Sequence, residues 1–260
     1  MNLELSGKVA IVGGASAGIG FEIARTLAAE GTSVAMTARR EPALLAAAER
    51  IAAETRARVL PIAADVRLAE DCHRVAERVK TELGGIDILV NNDGAPPLGP
   101  LLSFDDAAWQ KAIEQNLLSV VRMVREVAPS MKERGGGSIV NITGTSALEP
   151  PAGFGLSVAT WGGVFGYAKT LSVEVAADRI NVNTIAPGYI DTSRLQKVFA
   201  SGAEPAEVMK ARLRDQIPQR RIGKPADIAN LVALLVSPMG SYITGSIIHV
   251  DGGLVRSIHG

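Results

Sequence analysis

The segment Gly13-Gly14-Ala15-Ser16-Ala17-Gly18-Ile19-Gly20 concentrates residues fit for chemistry. Glycines let a backbone turn tightly and approach a diphosphate, and a helix that starts at once aims its free N–H groups at the negative charge. The spacing is Gly-x-x-x-Gly-x-Gly, not Gly-x-Gly-x-x-Gly, and such a loop also suits a strand-to-helix turn without a ligand. The same stretch contains Gly14-x-Ser16-x-Gly18, the pattern of a nucleophile elbow, which would make Ser16 a nucleophile and His249 its base. That hydrolase reading is the weaker one. The elbow would lie on the first strand, no His-Gly-Gly-Gly segment supplies an oxyanion site, and Gly20 serves helix-sheet packing under a dinucleotide. About twenty residues past the glycines a carboxylate would bond a ribose 2′-hydroxyl. Ala38 stands there, followed by Arg39 and Arg40. A 2′-phosphate meets no like charge at that point and can pair with a guanidinium, so the pattern predicts NADP(H) over NAD(H). Both arginines also read as solvated charges at a helix entry, Arg40 in particular.

The elements that would position these residues alternate along the chain. Apolar, β-branched runs at Val9–Val12, Ser33–Thr37, Val59–Ala63, Ile86–Val90, Ser138–Ile142, Ile180–Ile185 and Ile247–Val250 read as strands covered on both faces. Between them, Ile19, Ile23 and Leu27 recur one helical turn apart. Cys72, Val75, Ala76, Val79 and Leu83 form a second stripe, and Ile113, Leu117, Val120, Val121 and Val124 a third. This alternation predicts one α/β domain over residues 1–260, a doubly wound parallel sheet (Rossmann fold) with right-handed crossovers. Gly135-Gly136-Gly137 fits a sharp helix-to-strand connection. Residues from about 193 to 219, polar and holding Gly202 and Pro205, read as a small helical lid after strand six. It would cover the strand edge at which ligands of open α/β sheets bind.

Composition removes several classes of function. The 260 residues carry 27 Lys+Arg and 27 Asp+Glu, so neither nucleic acid nor an anionic membrane is the expected partner. One cysteine, Cys72, permits no internal disulfide and no Cys-based zinc cage; it falls on an apolar helix stripe and reads as a packed thiol. The histidines, His73, His249 and His259, lie far apart. No apolar run approaches the roughly 20 residues of a membrane span, and residues 1–8 have no apolar signal region. A cytoplasmic enzyme or binding protein is the expectation.

Several further motifs fall into one order, and the chain resembles the short-chain dehydrogenase/reductase family over its whole length, in its ketoacyl-reductase-like branch. The loop Gly14-x-x-x-Gly18-Ile19-Gly20, with Ser16 inside it, is similar to that family's cofactor loop. Asp65-Val66 resembles its adenine contact, and Asn91-Asn92-Asp93-Gly94 its Asn-Asn-Ala-Gly motif. Asn116 stands at its active-site asparagine. Pro187-Gly188-Tyr189-Ile190-Asp191-Thr192 resembles the Pro-Gly segment that touches nicotinamide. The tail from Arg221-Ile222-Gly223-Lys224-Pro225 through Tyr242-Ile243-Thr244-Gly245 to Val250-Asp251-Gly252-Gly253 is also typical. The resemblance implies a homo-oligomer, a tetramer or dimer packed through helices near Asn116 and Ser157, acting on a small molecule.

The catalytic positions depart from the family. Anchored on Gly163-Val164-Phe165-Gly166-Tyr167-Ala168-Lys169, the alignment puts Ser157 at the family's tyrosine, Trp161 at its lysine and Gly144 at its serine; Asn116 alone of the usual tetrad remains. A tyrosine of pKa near ~10 needs a neighbouring cation to shuttle protons at neutral pH. A serine is a poor acid there, and Trp161 brings bulk and one N–H donor instead of a cation. Tyr167 and Lys169 lie too far along the same helix to replace the pair. Asp93, beside the cleft, reads as an Asp-Gly turn or, less readily, as a proton donor. The first expectation is therefore an atypical NADP(H) oxidoreductase. Its proton would come from water held by Asn116, or from Thr143, Thr145 or Ser157, on an activated alkene or imine more readily than a simple ketone. An inactive NADP(H)-binding sensor or partner subunit is the second. A lyase, isomerase or hydrolase on the same fold is the third.

Overall fold

A computed structural model describes residues 2–257 apart from 93, 95 and 202–204, without the side chains of 197, 198, 200 and 201. Asp93, Gly202 and His259 therefore lie outside the described residues.

The seven strands are β1 (Val9–Val12), β2 (Ser33–Ala38), β3 (Val59–Ala63), β4 (Ile88–Asn91), β5 (Gly137–Ile142), β6 (Ile180–Pro187) and β7 (Ile247–Val250). They form one parallel sheet in the order β3-β2-β1-β4-β5-β6-β7. Helices α1 (Gly18–Ala29), α2 (Glu41–Thr55), α3 (Ala69–Leu83), α4 (Asp106–Ile113), α5 (Ser119–Glu133), α6 (Gly155–Glu174), α7 (Ser193–Ser201), α8 (Ala206–Gln216) and α9 (Pro225–Leu235) complete the chain, with a π-helical turn at Glu114–Leu118. Chain order reverses between β1 and β4. That is the switch point, where the loops after adjacent strands diverge and leave a crevice at the carboxyl edge.

Two apolar layers sandwich the sheet. One joins Val12, Ile23, Leu27, Leu44, Ile51 and Ile228. The other joins Ile11, Cys72, Val75, Val79, Val124 and Val182. The α3 stripe is fully buried from Cys72 to Val79, with Leu83 partly buried at its end, and Cys72 Sγ donates to the Val66 carbonyl at 3.3 Å, as a packed thiol should.

Several strand boundaries shift from the sequence reading: β2 runs on to Ala38 and β4 to Asn91, and three others have a physical reason. The fourth strand starts at Ile88, not Ile86, because Asp87 turns its carboxylate to the Val9 N–H at 2.9 Å and to Arg134 Nη2 at 2.9 Å. The fifth begins at Gly137, whose partner in register is Ile180. The sixth runs on to Pro187 because β7 pairs with it as far as Val250. The stretch expected as a lid holds α7 and α8. No helix among the described residues is long and apolar enough to cross a membrane.

Candidate functional site

The glycine loop runs from the end of β1 into α1. Gly14 and Gly18 have φ of +56° and +61°, the left-handed region that disfavours residues with a Cβ. A Cβ on Gly14 would collide with the Asn92 carbonyl, and one on Gly20 would lie 2.5 Å from the Gly14 carbonyl oxygen. Asn92 Nδ2 donates to the Gly13 carbonyl at 3.1 Å. Asn92 thus ties the loop to β4 and acts on a ligand through the loop's shape. Ala17 gives α1 no side-chain cap, so the first N–H groups of the helix stay free of one.

Beyond the loop a cavity of about 450 Å³ is lined by Gly14, Ser16, Ala38, Arg39, Arg40, Asp65, Val66, Arg67, Gly94 and Gln115. It collects most of the expected adenosine-side residues in one place. Arg39 and Arg40 are exposed, and neither forms a salt bridge among the described residues. Asp65 is spoken for: Arg67 Nε donates to its Oδ1 at 2.9 Å and Arg67 Nη2 to its Oδ2 at 2.5 Å. These bonds, outweighing partial burial, hold the Asp65 carboxyl below the usual carboxylate range. Ile19 and Val66 pack into the two apolar layers and support the cavity from beneath.

Pro187 and Gly188 lie at the end of β6. The Gly188 N–H donates to the Val250 carbonyl at 3.1 Å, and a Cβ there would be 2.8 Å from Asp251 Cβ. Thr192 caps α7, its Oγ1 accepting from the Leu195 N–H at 3.4 Å, and its methyl lies 3.4 Å from a Cβ built on Gly18.

The centre of the sheet's carboxyl edge is built differently. Asn91 and Asn141 are register partners on β4 and β5, and Asn91 Nδ2 donates to Asn141 Oδ1 at 2.8 Å. Asn116 sits in the π-helical turn, a distortion frequent at functional sites. Its Nδ2 donates to Thr160 Oγ1 at 2.9 Å, and that hydroxyl donates to the Leu156 carbonyl at 2.8 Å. Asn116 is thus fastened to α6 between Ser157 and Trp161, which face one way at i, i+4. Asn116 Oδ1 and Asn141 Nδ2 are buried without a partner among the described residues. Both residues line a cavity of only about 10 Å³, shared with Gln115, Thr143 and Trp161. That is room for about one water.

Gly144, at the serine position, faces Trp161. A Cβ on Gly144 would stand 2.8 Å from Trp161 Cζ3 and 3.2 Å from Cη2. The backbone at Gly144 is extended, with φ −170°, so the indole ring and not the backbone requires glycine there. Of the hydroxyls expected as proton donors, Thr143 Oγ1 is committed to the Ile185 carbonyl at 3.1 Å, while Thr145 and Ser157 are buried. Neither remaining tyrosine of the vicinity is poised as an acid: burial pushes the phenols of Tyr167 and Tyr189 above their ordinary value. Lys169 reaches the Gly245 carbonyl instead.

The elbow reading does not survive this geometry. Ser16 follows β1 and His249 is on β7, four strand spacings away, about 19 Å. Thr160, Gln115 and Asn141 escaped the sequence reading. Asn141 alone left a signal, a lone amide in a mostly apolar strand.

The profile of the family described as Enoyl-(Acyl carrier protein) reductase matches residues 14–255. The 3-oxoacyl-acyl-carrier-protein reductase FabG of Escherichia coli (strain K12) is 35% identical over 254 residues, 98% of this chain and 99% of its own length. The human Dehydrogenase/reductase SDR family member 4 is 38% identical over 251 residues, 96% of this chain and 88% of its own. The chain belongs to the short-chain dehydrogenase/reductase family. L-sorbose reductase of Gluconobacter frateurii, solved with NADPH and L-sorbose, has the same fold. Its TM-score is 0.96 and its identity 33%, over 99% of this chain and all of that one. Membership places the chain among oxidoreductases whose relatives include NADPH-dependent reductases. It does not by itself carry their chemistry to a site with other residues.

Proposed function

We propose that this member of the family binds NADP(H) through its adenosine side and does not carry out tyrosine-dependent carbonyl reduction, serving as a nucleotide-binding sensor or partner subunit. The carrying observation is the contact between Gly144 and Trp161. The serine side chain of a family-type site and this indole exclude each other.

The residues fit the two halves of the dinucleotide differently. Toward the adenosine half the fit is good. Gly14, Ser16, Gly18, Ile19 and Gly20 form the loop that would hold the diphosphate. Asn92 and Gly94 shape its wall, and Asp65 and Val66 would flank the adenine. Arg39, with Arg40 behind it, would pair with a 2′-phosphate that Ala38 leaves unopposed. Toward the nicotinamide half the fit fails. Pro187, Gly188 and Thr192 would face that half, but Trp161 and not a lysine stands one helical turn after Ser157, and its indole packs on Gly144.

The second reading keeps redox chemistry on an activated alkene or imine. Its support is Asn116, held in the π-helical turn beside a water-sized cavity that Thr143 also lines. Both readings treat residues 1–260 as one domain with α7 and α8 as a lid, and both expect a homo-oligomer, a tetramer or dimer.

Titration with NADPH and NADH, followed by a panel of ketones, alkenes and imines, tests the proposal. NADPH binding without turnover supports it. Turnover of an alkene or imine moves the balance to the second reading, and absence of binding removes both. In the converse direction, Gly144→Ser, Ser157→Tyr and Trp161→Lys together should create ketone reduction.

A further inference from the structure

A third cavity, of about 350 Å³, opens where β6 and β7 end. Its volume falls in the range of roughly 300–1,000 Å³ usual for small-molecule sites. Among the described residues it shares no lining residue with the cavity beside Arg39 or the one beside Asn116. Three segments enclose it: Tyr189 and Ile190 after β6, the stretch from Gln219 to Gly223 between α8 and α9, and the end of β7 with the turn that follows. Backbone bonds join them. The Gly223 N–H donates to the Tyr189 carbonyl at 2.9 Å, and the Gln219 N–H to the Gly252 carbonyl at 3.1 Å. The tail beyond Gly253 is fastened in turn, the Arg256 and Ser257 N–H groups donating to Glu149 Oε1 at 2.7 and 3.2 Å. The walls of the cavity are therefore built before any ligand arrives.

The charges around it are already spent. Arg221 Nη1 and Nη2 donate to the Asp227 carboxylate at 2.6 and 3.2 Å. The Asp251 carboxylate accepts from the Gly253 N–H at 2.9 Å and from the Val255 N–H at 2.8 Å. An anionic ligand would face both carboxylates, and a cationic one would face the Arg221 guanidinium. Hydrogen-bonding capacity is left over. A guanidinium carries more N–H donors, and a carboxylate more acceptor positions, than these bonds use. His249 lines the cavity, and its Nε2 is buried without a partner among the described residues, a cost that a polar group of a ligand would relieve. Tyr189 adds a phenol that burial keeps protonated, and Gln219 an amide. Ile190 and Val250 supply apolar surface between these groups.

We propose that this cavity is a separate ligand site, one that takes a small uncharged polyhydroxy compound. A hydroxyl donates and accepts at once, and a lining with spare donors, spare acceptors and paired or capped charges matches it. The hydroxyls would meet His249, Tyr189, Gln219 and Arg221, and the carbon skeleton would lie against Ile190 and Val250. The site does not depend on the NADP(H) reading above.

Saturation-transfer NMR titration of the full chain, without added nucleotide, tests this. The neutral probes are sorbitol and glucose. Gluconate and glucuronate are their anionic counterparts, glucamine and glucosamine their cationic ones. The better-binding neutral probe should bind about tenfold or more tighter than its two charged counterparts. If neither neutral probe binds below about 50 mM, or if a charged counterpart binds as tightly, the proposal is overturned. Tyr189→Phe and Gln219→Ala each remove one hydrogen-bonding group from the lining and leave the backbone bonds in place. In each, affinity for the neutral probe should fall about 3- to 10-fold, the loss of one neutral hydrogen bond. Unchanged affinity in both variants puts the probe elsewhere on the protein and overturns the site. NADPH affinity should be the same in Gln219→Ala as in the parent, so the fate of this site and that of the NADP(H) reading are measured separately.

Discussion

Replacing Gly144 by serine restores the residue type that the family resemblance places there, and in this chain it should be destabilising. The new Cβ would stand 2.8 Å from Trp161 Cζ3 and 3.2 Å from Cη2, closer than side-chain carbons pack. The extended backbone at Gly144 accepts any residue, so the cost is steric alone. Forcing atoms into a packed site costs about 1–3 kcal/mol. Trp161→Lys carries its own cost, the loss of indole packing, offset in part by the apolar stem of lysine. With the lysine in place the serine meets no ring, so the double variant should be about as stable as Trp161→Lys alone. The coupling in the double-mutant cycle is then about 1–3 kcal/mol in favour of the pair, well above the 0.3–0.5 kcal/mol, roughly, by which independent sites fail to add. Urea denaturation of the four proteins measures it. A neutral Gly144→Ser, or coupling within the additivity error, would refute the claim that the indole and the serine position compete for one space.

Three other predictions draw on separate parts of the molecule. Arg39→Ala should weaken NADPH binding by about 10- to 100-fold, the loss of one charge-assisted contact of about 1.5–3 kcal/mol, and leave NADH binding unchanged; calorimetry distinguishes this from a general loss of fold. Asp87, 5% exposed, accepts from the Val9 N–H and from Arg134 Nε and Nη2. Asp87→Ala leaves the buried Val9 N–H unpaired and should cost about 1–3 kcal/mol, read as a lower urea midpoint with unchanged slope. Asp65 and Asp227 have carboxyls lowered first by hydrogen bonds from Arg67 and Arg221 respectively. A lowered folded pKa gives stability that is complete above the unfolded value, near ~3.9, and is lost as pH falls through the folded one. Stability should therefore decline below pH ~4, and less steeply in Asp65→Asn; an unchanged acid limb in that variant contradicts the assignment.

Local pattern accounts for most of the architecture. Each strand is a run of β-branched residues short enough to fit between helical stripes, and burial on both faces forces those runs to be apolar. The alternation then leaves one economical solution, a parallel sheet with right-handed crossovers. Strand ends were less legible, because pairing partners set them. Pro187 belongs to β6 only because Val250 is opposite. The adenosine side was legible too. The glycine loop, Ala38-Arg39-Arg40 and Asp65-Val66 each sit at a strand's carboxyl end, and parallel strands bring such ends to one edge.

The catalytic end was legible as a set of substitutions and not as a shape. The order of residues shows that Ser157 and Trp161 share a helix face and that Gly144 lies in the loop after β5. It does not show that the indole rests on Gly144, seventeen residues away in the numbering, because that contact depends on how α6 lies against the end of β5. The same holds for Thr160, which fastens Asn116 from another helix, and for Gln115, which lines both the cavity by Asn116 and the one by Arg39. The sequence by itself determined the sheet, the glycine loop and which reactive groups are missing, since these follow from local pattern and residue identity. Tertiary packing alone decided what stands in the vacated space, because a volume is a property of side chains converging from β4, β5, α5 and α6, and no one of those segments encodes it.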